Sequence, residues 1–158
     1  MELYHASNQV VEFPEIRRSY YTKDFSWGFY CTNSMEQAKV WAIRRKNKVK
    51  LGNPTINIYE YQENKELNVL HFDEVNDEWL DFIASCRNGN LHRYDIVEGP
   101  MADDEIWEYV DDFLNGKMPR EIFLAYAKFK KPTHQLSFHT IQGLSTLKFV
   151  KSEVINNA

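Results

Sequence analysis

Short runs of aromatic, aliphatic and β-branched residues, separated by polar stretches, predict the strands of this chain. Seven runs fit this description: residues 2–7, 28–32, 55–61, 67–72, 94–97, 134–140 and 147–151. The clearest is 55–61 (Thr-Ile-Asn-Ile-Tyr-Glu-Tyr), whose character alternates with a period of two. Because residues 67–72 follow it closely, we expect these two strands to form a hairpin or a neighbouring pair.

The strand-like run near the end of the chain has two distinct faces. Side chains of a strand alternate between the two faces of its sheet, so Leu136 and Phe138 would face the core. Gln135, Ser137 and His139 would then face the opposite side, toward a cleft. That side of the strand is where we expect polar functional groups.

Apolar residues at helical spacing predict four helices. They cover about residues 35–47, 77–87, 106–114 and 119–129. Ser34, with Gln37 three residues later, forms a capping-box pattern, and Asn76 is a further N-cap candidate. Gly89 and Gly116 are placed to end the second and third helices. Helices inserted among predominantly antiparallel strands define an α+β fold.

The length and composition are those of one folded domain spanning residues 1–158. The chain is 43% hydrophobic and 27% charged, which disfavours disorder, a collagen helix and a simple coiled coil. Its aromatic content of 15% suits a compact domain with a ring-lined cleft. No repeat, low-complexity tract or linker divides the sequence.

The net charge of −4 argues against a protein that holds nucleic acid by general electrostatic attraction. A basic cluster nevertheless follows the first predicted helix, at Arg44, Arg45, Lys46, Lys48 and Lys50. Two interpretations of this basic cluster stay open. It is either a solvated helix face or a basic rim for an anionic ligand.

The cysteines, histidines and apolar segments of the sequence disfavour a disulfide scaffold, a metal site and a membrane span. Cys31 and Cys86 have no CxxC spacing and no nearby histidine pair, so we expect buried thiols rather than a disulfide scaffold or a zinc site. His134 and His139 have opposite parity on one strand, so we expect no metal there. No signal-peptide pattern opens the chain and no apolar segment approaches the ~20 residues of a membrane span, so we expect a cytoplasmic protein without membrane partners.

The sequence lacks the common catalytic templates. GxxxxGK[ST], GxGxxG, GxSxG, HExxH and the EF-hand loop are all absent, which disfavours P-loop nucleotide hydrolysis and zinc proteolysis. His71, Asp73 and Ser85 could be combined into a triad, but nothing in their spacing selects them over another such trio.

Three fragments in separate predicted strands are more informative together than any one alone. They are residues 3–7 (Leu-Tyr-His-Ala-Ser), 24–32 (Asp-Phe-Ser-Trp-Gly-Phe-Tyr-Cys-Thr) and 134–138 (His-Gln-Leu-Ser-Phe). With residues 78–83 and 94–104, they resemble the ADP-ribosyltransferase superfamily, in the branch of diphtheria toxin and poly(ADP-ribose) polymerases, whose H-Y-E signature comes from three separated strands. The likeness is greatest to a group of small uncharacterised bacterial domains, and it extends from residue 3 to about residue 150.

This resemblance implies a split, mostly antiparallel sheet with peripheral helices and an NAD-binding cleft between the two halves of the sheet. We expect the side chains of His5, Tyr30 and Gln135 to converge on that cleft. His5 would hold the ribose next to nicotinamide, with Ser7 assisting, and the ring of Tyr30 would pack against nicotinamide. Gly28 would give the backbone clearance that lets the dinucleotide lie close.

Other positions complete the implied binding site or depart from the family pattern. Ala6 stands where glycine is usual, a small change that a backbone contact to the nicotinamide amide would survive if the backbone dihedrals are ordinary. Ser26 and Trp27 replace a Gly-Lys pair, which makes the approach to the cleft bulkier. Arg17 and Arg18 are the candidates for binding the diphosphate, with a surface pair as the alternative.

Gln135 occupies the position of the signature glutamate. An amide can hydrogen-bond ribose hydroxyls but cannot act as a base, which argues against chain-extending polymerase activity. Breaking the bond between nicotinamide and ribose passes through an oxocarbenium-like state, which a nearby negative charge stabilises. On that reasoning, Gln135→Glu is expected to match or raise nicotinamide release.

The implied function is mono-ADP-ribosylation of a macromolecule, either a protein or a nucleic acid, with NAD as the substrate. His5, Tyr30 and Gln135 would carry catalysis. Two alternatives stay open: an NAD glycohydrolase, in which water replaces the acceptor, and an inert module that binds NAD, ADP-ribose or a partner. A small toxin held in check by an antitoxin would suit such a domain.

Overall fold

The fold is built on one mixed sheet. The computed structural model describes residues 1–18, 23–102, 104–130 and 132–156, without the side chains at 104, 105 and 107. Within them lie seven strands: β1 (Glu2–Ser7), β2 (Phe29–Thr32), β3 (Thr55–Tyr61), β4 (Val69–His71), β5 (Ile96–Pro100), β6 (His134–Phe138) and β7 (Leu147–Val154). The helices described are α1 (Met35–Val49), α2 (Asp77–Arg87), α3 (Asp104–Leu114), α4 (Arg120–Phe129) and α5 (Ile141–Leu144). None of these described helices is long and apolar enough to cross a membrane. The α+β class expected from the sequence is confirmed.

The sheet has a narrow junction near its middle. Its strands follow the order β4-β5-β6-β2-β1-β3-β7, and the described neighbours pair antiparallel except β4 and β5, which are parallel. β1 pairs with β3 over six residue pairs and β2 with β6 over four, whereas β1 and β2 share the single pair Tyr4 and Thr32. A β4-β5-β6-β2 half and a β1-β3-β7 half are therefore joined at one point.

Helices α2, α3 and α4 cover one face of the first half of the sheet. Their buried side chains include Trp79, Ile106 and Phe123, which pack in one cluster with Tyr30 of β2 and Val97 of β5. Removing an apolar side chain of this size from water contributes roughly 1.5–3 kcal/mol. This cluster therefore fixes the three helices on the sheet.

A second cluster occupies the opposite face of the same strands. Phe29 and Cys31 of β2 pack there with Leu136 and Phe138 of β6. The alternation of β6 expected from the sequence is thus confirmed, and it directs Gln135 to the face that the helices cover.

Helix α1 packs on the second half of the sheet. Its small side chains Ala38 and Ala42 lie against Ile56 of β3. The side chain of Ser34 accepts a hydrogen bond from the backbone N–H of Gln37, so the helix start expected from the sequence is confirmed. This packing places Arg45, from the basic cluster in the C-terminal half of α1, beside the end of β1.

Two expectations about chain connections are wrong. β3 and β4 are not neighbours, because β3 lies between β1 and β7 while β4 forms the opposite edge of the sheet. Alternation identifies a strand but does not select its partner. The strand expected to run to residue 140 ends at Phe138, and Thr140 caps α5. Gly143 lies in that helix, and a Cβ added there would meet the Asp95 carbonyl oxygen at 2.6 Å.

Candidate functional site

A cavity of about 780 Å³ lies where β1 and β2 diverge. Its volume falls within the range of small-molecule binding sites. The walls come from the end of β1, the loop that follows it, the segment before β2 and one side chain of α1. Six residues expected from the sequence line it: His5, Ala6, Ser7, Arg17, Arg18 and Gly28.

A buried asparagine of β3 holds the loop wall of the cavity. The side-chain oxygen of Asn57 accepts a hydrogen bond from the Val11 backbone N–H at 2.8 Å, and its amide donates to the Gln9 carbonyl at 3.2 Å. The Tyr59 hydroxyl donates to the Val11 carbonyl. These bonds satisfy backbone groups of the loop and fix its position relative to β1.

His5 stands at the junction between the two halves of the sheet. Its Nδ1 donates to the Tyr30 carbonyl at 2.7 Å, and its ring stacks on Phe29 with centroids 4.0 Å apart. Burial, together with the positive charges of Lys23 and Arg45, lowers the pKa of His5 to about 4. The imidazole is therefore neutral at pH 7. Because a carbonyl can only accept, Nδ1 carries the proton and Nε2 is an acceptor for a ligand hydroxyl.

Ala6 lies next to His5 in an ordinary strand. It pairs with Ile56 in the ladder between β1 and β3, so its backbone is extended and needs no glycine. Ser7 ends the same strand and is buried at the cavity wall. The alanine in place of the family's glycine is thus compatible with the strand.

Tyr30 is buried behind the cavity rather than exposed in it. Its hydroxyl donates to the Ser26 carbonyl at 2.6 Å and accepts from the Phe25 N–H at 3.0 Å. The ammonium of Lys23 lies over its ring, 4.8 Å from the centroid, and Lys23 itself lines the cavity. Lys23 therefore contacts both the ring of Tyr30 and the cavity space.

Gln135 does not open onto the cavity, which corrects the expectation of an exposed, cleft-facing side chain. It is only 5% exposed, and its amide donates to Oδ2 of Asp24 at 3.2 Å. Asp24 is also buried, where Arg87 of α2 binds its Oδ1 at 2.5 Å and the Ala102 N–H donates to Oδ2 at 2.8 Å. The alternation of side chains along β6 predicts the face of the sheet on which Gln135 lies, but helix α2 and the segment before β2 cover that face.

Of the three residues expected to converge on one cavity, His5 lines this one. The side chains of Tyr30 and Gln135 are buried and are not among its lining residues. Asp24 connects the last two, since its charge acts on the Tyr30 hydroxyl and its carboxylate accepts from Gln135.

Arg17 and Arg18 line the cavity and have contacts of their own. Arg17 pairs with Glu15 at 3.2 Å, and both side chains are largely exposed. The guanidinium of Arg18 lies 5.2 Å from the ring centroid of Trp27. An exposed pair of this kind contributes little energy and exchanges easily for another anion.

Lys23 and Arg45 are the cations that the sequence did not bring together. Arg45 reaches the cavity from α1, and Lys23 from the segment before β2. In the described part of the chain, no carboxylate lies within ion-pair distance of either. The pKa of Lys23 is lowered, mainly because protein surrounds its ammonium and also because Arg45 repels it. The basic cluster at the end of α1 gave the only sequence signal for this pair.

Gly28 is required by what lies behind the cavity wall. A Cβ at this position would lie 2.8 Å from the Phe138 carbonyl oxygen and 2.8 Å from Nδ1 of His139. Nδ1 of His139 donates to the Trp27 carbonyl at 2.8 Å, and Nε2 of His92 bonds the Phe25 carbonyl at the same distance. Two histidines thus hold the segment before β2 in place. Burial lowers the pKa of His139 to about 4, so it holds this segment in the neutral form.

The comparison with protein-family models identifies the family to which this chain belongs. Residues 1–149 match the family "Protein of unknown function (DUF3990)", and the chain is therefore a member of that family. No curated protein matches the sequence.

Proposed function

We propose that this chain binds NAD in the cavity at the β1–β2 junction and transfers the ADP-ribose group to a macromolecular acceptor, on a fold of the ADP-ribosyltransferase type. The likeness of its three strand fragments to that superfamily supports the proposal. So does the single-pair contact between β1 and β2, since it divides the sheet as a split sheet requires.

The observation that carries the proposal is the position of His5. The ring is fixed by stacking on Phe29 and by the bond from Nδ1 to the Tyr30 carbonyl. It lines the cavity with an acceptor nitrogen, and no partner for Nε2 is found among the described residues. A ribose hydroxyl is a donor of suitable size for that nitrogen.

The charge of the cavity agrees with a dinucleotide. Arg17, Arg18, Lys23 and Arg45 line it, against the carboxylates of Glu12 and Glu15. A diphosphate would balance the excess of positive charge. The volume of about 780 Å³ is in the range of sites for ligands larger than a single sugar or base.

The proposed reaction exchanges one glycosidic bond for another. The bond from ribose C1′ to nicotinamide breaks, and its electron pair leaves with nicotinamide. An acceptor nucleophile forms the new bond to C1′ and gives its proton to water. In this step His5 orients the ribose, and positive charge develops on the sugar ring.

Gln135 has a supporting role in this proposal. Its amide holds Asp24 and cannot serve as a base. The acceptor must therefore be nucleophilic before it binds.

The buried position of Gln135 also favours a second candidate, an inert module that binds NAD or ADP-ribose without breaking the glycosidic bond. A third candidate function, that of an NAD glycohydrolase, differs from the transferase only in using water as the acceptor. The three differ in products and are separated by one assay.

The test follows NAD labelled in its adenylate half, incubated with the purified protein in the presence and absence of a cell lysate. The proposal expects nicotinamide release together with label on a macromolecule. Label found only in free ADP-ribose identifies the glycohydrolase, and binding without release identifies the inert module. Calorimetric titrations that detect no binding of NAD and none of ADP-ribose refute all three.

A matched pair of histidine variants ties the result to the cavity. His5→Gln removes the ring that faces the cavity, whereas His71→Gln changes an exposed histidine on β4, at the far edge of the sheet. We expect His5→Gln to weaken NAD binding about tenfold, as for loss of one hydrogen bond, and His71→Gln to leave it unchanged. Circular dichroism checks that both variants are folded.

A further inference from the structure

We propose that Lys23 and Arg45 form the anion-binding pair of the cavity, that the anion is a diphosphate group, and that Lys23 leaves the ring of Tyr30 when this group binds. The inference rests on the proposed function and names the residues that recognise one part of its substrate.

The two cations converge on one space from different elements. Lys23 comes from the segment before β2 and Arg45 from α1, and both line the cavity with His5. Like charges that share a site repel each other, and the described residues offer neither cation a carboxylate partner. An anion with several oxygens removes the repulsion and accepts hydrogen bonds from both.

The other two cations of the cavity have different surroundings. Arg17 pairs with the carboxylate of Glu15, and the guanidinium of Arg18 lies over Trp27, as the ammonium of Lys23 lies over Tyr30. What distinguishes Lys23 is the repulsion from Arg45, which an anion bound between the two would relieve.

Lys23 also controls access to Tyr30. Its ammonium lies 4.8 Å from the centroid of the Tyr30 ring, and the same side chain lines the cavity. A contact between an ammonium and a ring is weaker than charge-assisted hydrogen bonds to a diphosphate. A bound diphosphate would therefore draw Lys23 off the ring and open that face to the cavity.

The exposed ring face would suit one half of the proposed substrate. A face that holds an ammonium also attracts a flat cation, and the nicotinamide ring of NAD is a pyridinium cation. The two events are then coupled: the diphosphate binds Lys23, and the pyridinium takes its place on Tyr30. This order explains how a tyrosine behind the wall takes part in binding.

The first experiment titrates inorganic pyrophosphate into the protein by calorimetry. Lys23→Gln and Arg45→Gln are each expected to weaken its binding roughly 10- to 100-fold, as for loss of a charge-assisted hydrogen bond. The matched control is Lys48→Gln, which removes a basic side chain exposed on α1 but outside the cavity lining. This control should stay within about threefold, which is smaller than the effect of any single direct contact. Equal effects of all three substitutions, or no effect from Lys23→Gln and Arg45→Gln, overturn the assignment.

The second experiment tests the coupling with 1-methylnicotinamide, a pyridinium cation without phosphate. The wild-type protein should bind it more tightly in the presence of saturating pyrophosphate. Lys23→Gln should bind it equally with and without pyrophosphate, because the ring is already uncovered. Wild-type binding that is indifferent to pyrophosphate refutes the displacement of Lys23.

The two proposals fail in different ways. Pyrophosphate binding through Lys23 and Arg45, together with no binding of NAD, refutes the proposed function and leaves the anion site in place. Binding of NAD that is unaffected by Lys23→Gln and Arg45→Gln refutes the anion site and leaves the proposed function.

Discussion

Replacing Gln135 with glutamate is expected to destabilise the fold rather than to improve catalysis. In the native protein the Gln135 amide donates to Asp24, whose carboxylate is buried with Arg87. Burial raises the pKa of Asp24, and the charge of Arg87 opposes that rise. The substitution removes the donor and places a second carboxylate beside the first. One arginine then faces two carboxylates.

The loss of stability follows from the proton that one of the two buried carboxyl groups must hold in the folded variant. Two carboxylates in one buried site cannot both ionise freely, so one pKa is raised. A rise of about two pH units above the unfolded value of about 4.3 corresponds to about 2.7 kcal/mol. The lost amide donor adds about 1 kcal/mol. We therefore expect Gln135→Glu to lose about 3–4 kcal/mol of stability at pH 7.

The pH dependence gives this prediction its sign. The folded variant binds one proton more than the unfolded chain between pH of about 4.3 and about 6.3. Its stability relative to the wild type is therefore highest below this window and falls as the pH rises through it. Above about pH 6.3 the difference in stability between the variant and the wild type no longer changes with pH.

The measurement is urea unfolding of the wild type and of the variant from pH 4 to pH 8. Gln142→Glu is the matched control, since Gln142 is exposed on α5 and the same change there should cost less than about 0.5 kcal/mol. A Gln135→Glu deficit below that value at pH 7, or one that does not change with pH, would refute the reasoning. Raised nicotinamide release by a stable Gln135→Glu protein would restore the expectation drawn from the sequence.

Three further predictions concern the same region. Tyr30→Phe removes the hydroxyl that bonds the backbone at Ser26 and Phe25, so it should cost about 1–3 kcal/mol in urea unfolding; an unchanged midpoint contradicts the role of that hydroxyl. Ser26 has a φ of 80°, which glycine adopts without strain, so Ser26→Gly should stabilise the protein by about 0.5–1 kcal/mol, and a lower melting temperature would count against it. Burial holds the pKa of His5 and of His139 near 4, below the value of about 6.5 in the unfolded chain, so stability should fall as the pH drops from about 6.5 toward 4. An NMR titration in which these two rings protonate near pH 6.5 would contradict this last expectation.

Much of the secondary structure could be read from local patterns. Residue spacing along a helix or strand is fixed by backbone geometry, so apolar positions at those spacings identify the element. The caps at Ser34 and Asn76 are confirmed because a side chain bonds a backbone N–H three residues away, which involves no distant part of the chain.

Local patterns do not determine the partners and ends of the strands. Alternation identifies β3 as a strand, yet its neighbours are β1 and β7 rather than the strand-like residues 67–72 that follow it in the sequence. β6 was expected to reach residue 140, but Thr140 bonds Asp95 and begins a helix instead. Both outcomes depend on segments distant in sequence.

The sequence by itself determined which residues alternate and where α1 and α2 begin. Its resemblance to a known superfamily led to the expectation that His5, Ala6, Ser7, Gly28, Arg17 and Arg18 belong to one site, and the structure places all six at one cavity. Only the tertiary structure decided that Gln135 is buried. Its partner Asp24 is 111 residues away, and the arginine that completes the group is 63 residues from Asp24. The same holds for Lys23 and Arg45, which meet because α1 packs beside the end of β1. Local patterns follow from the geometry of a few residues, whereas contacts between distant residues follow from how whole elements pack, and no short spacing encodes that packing.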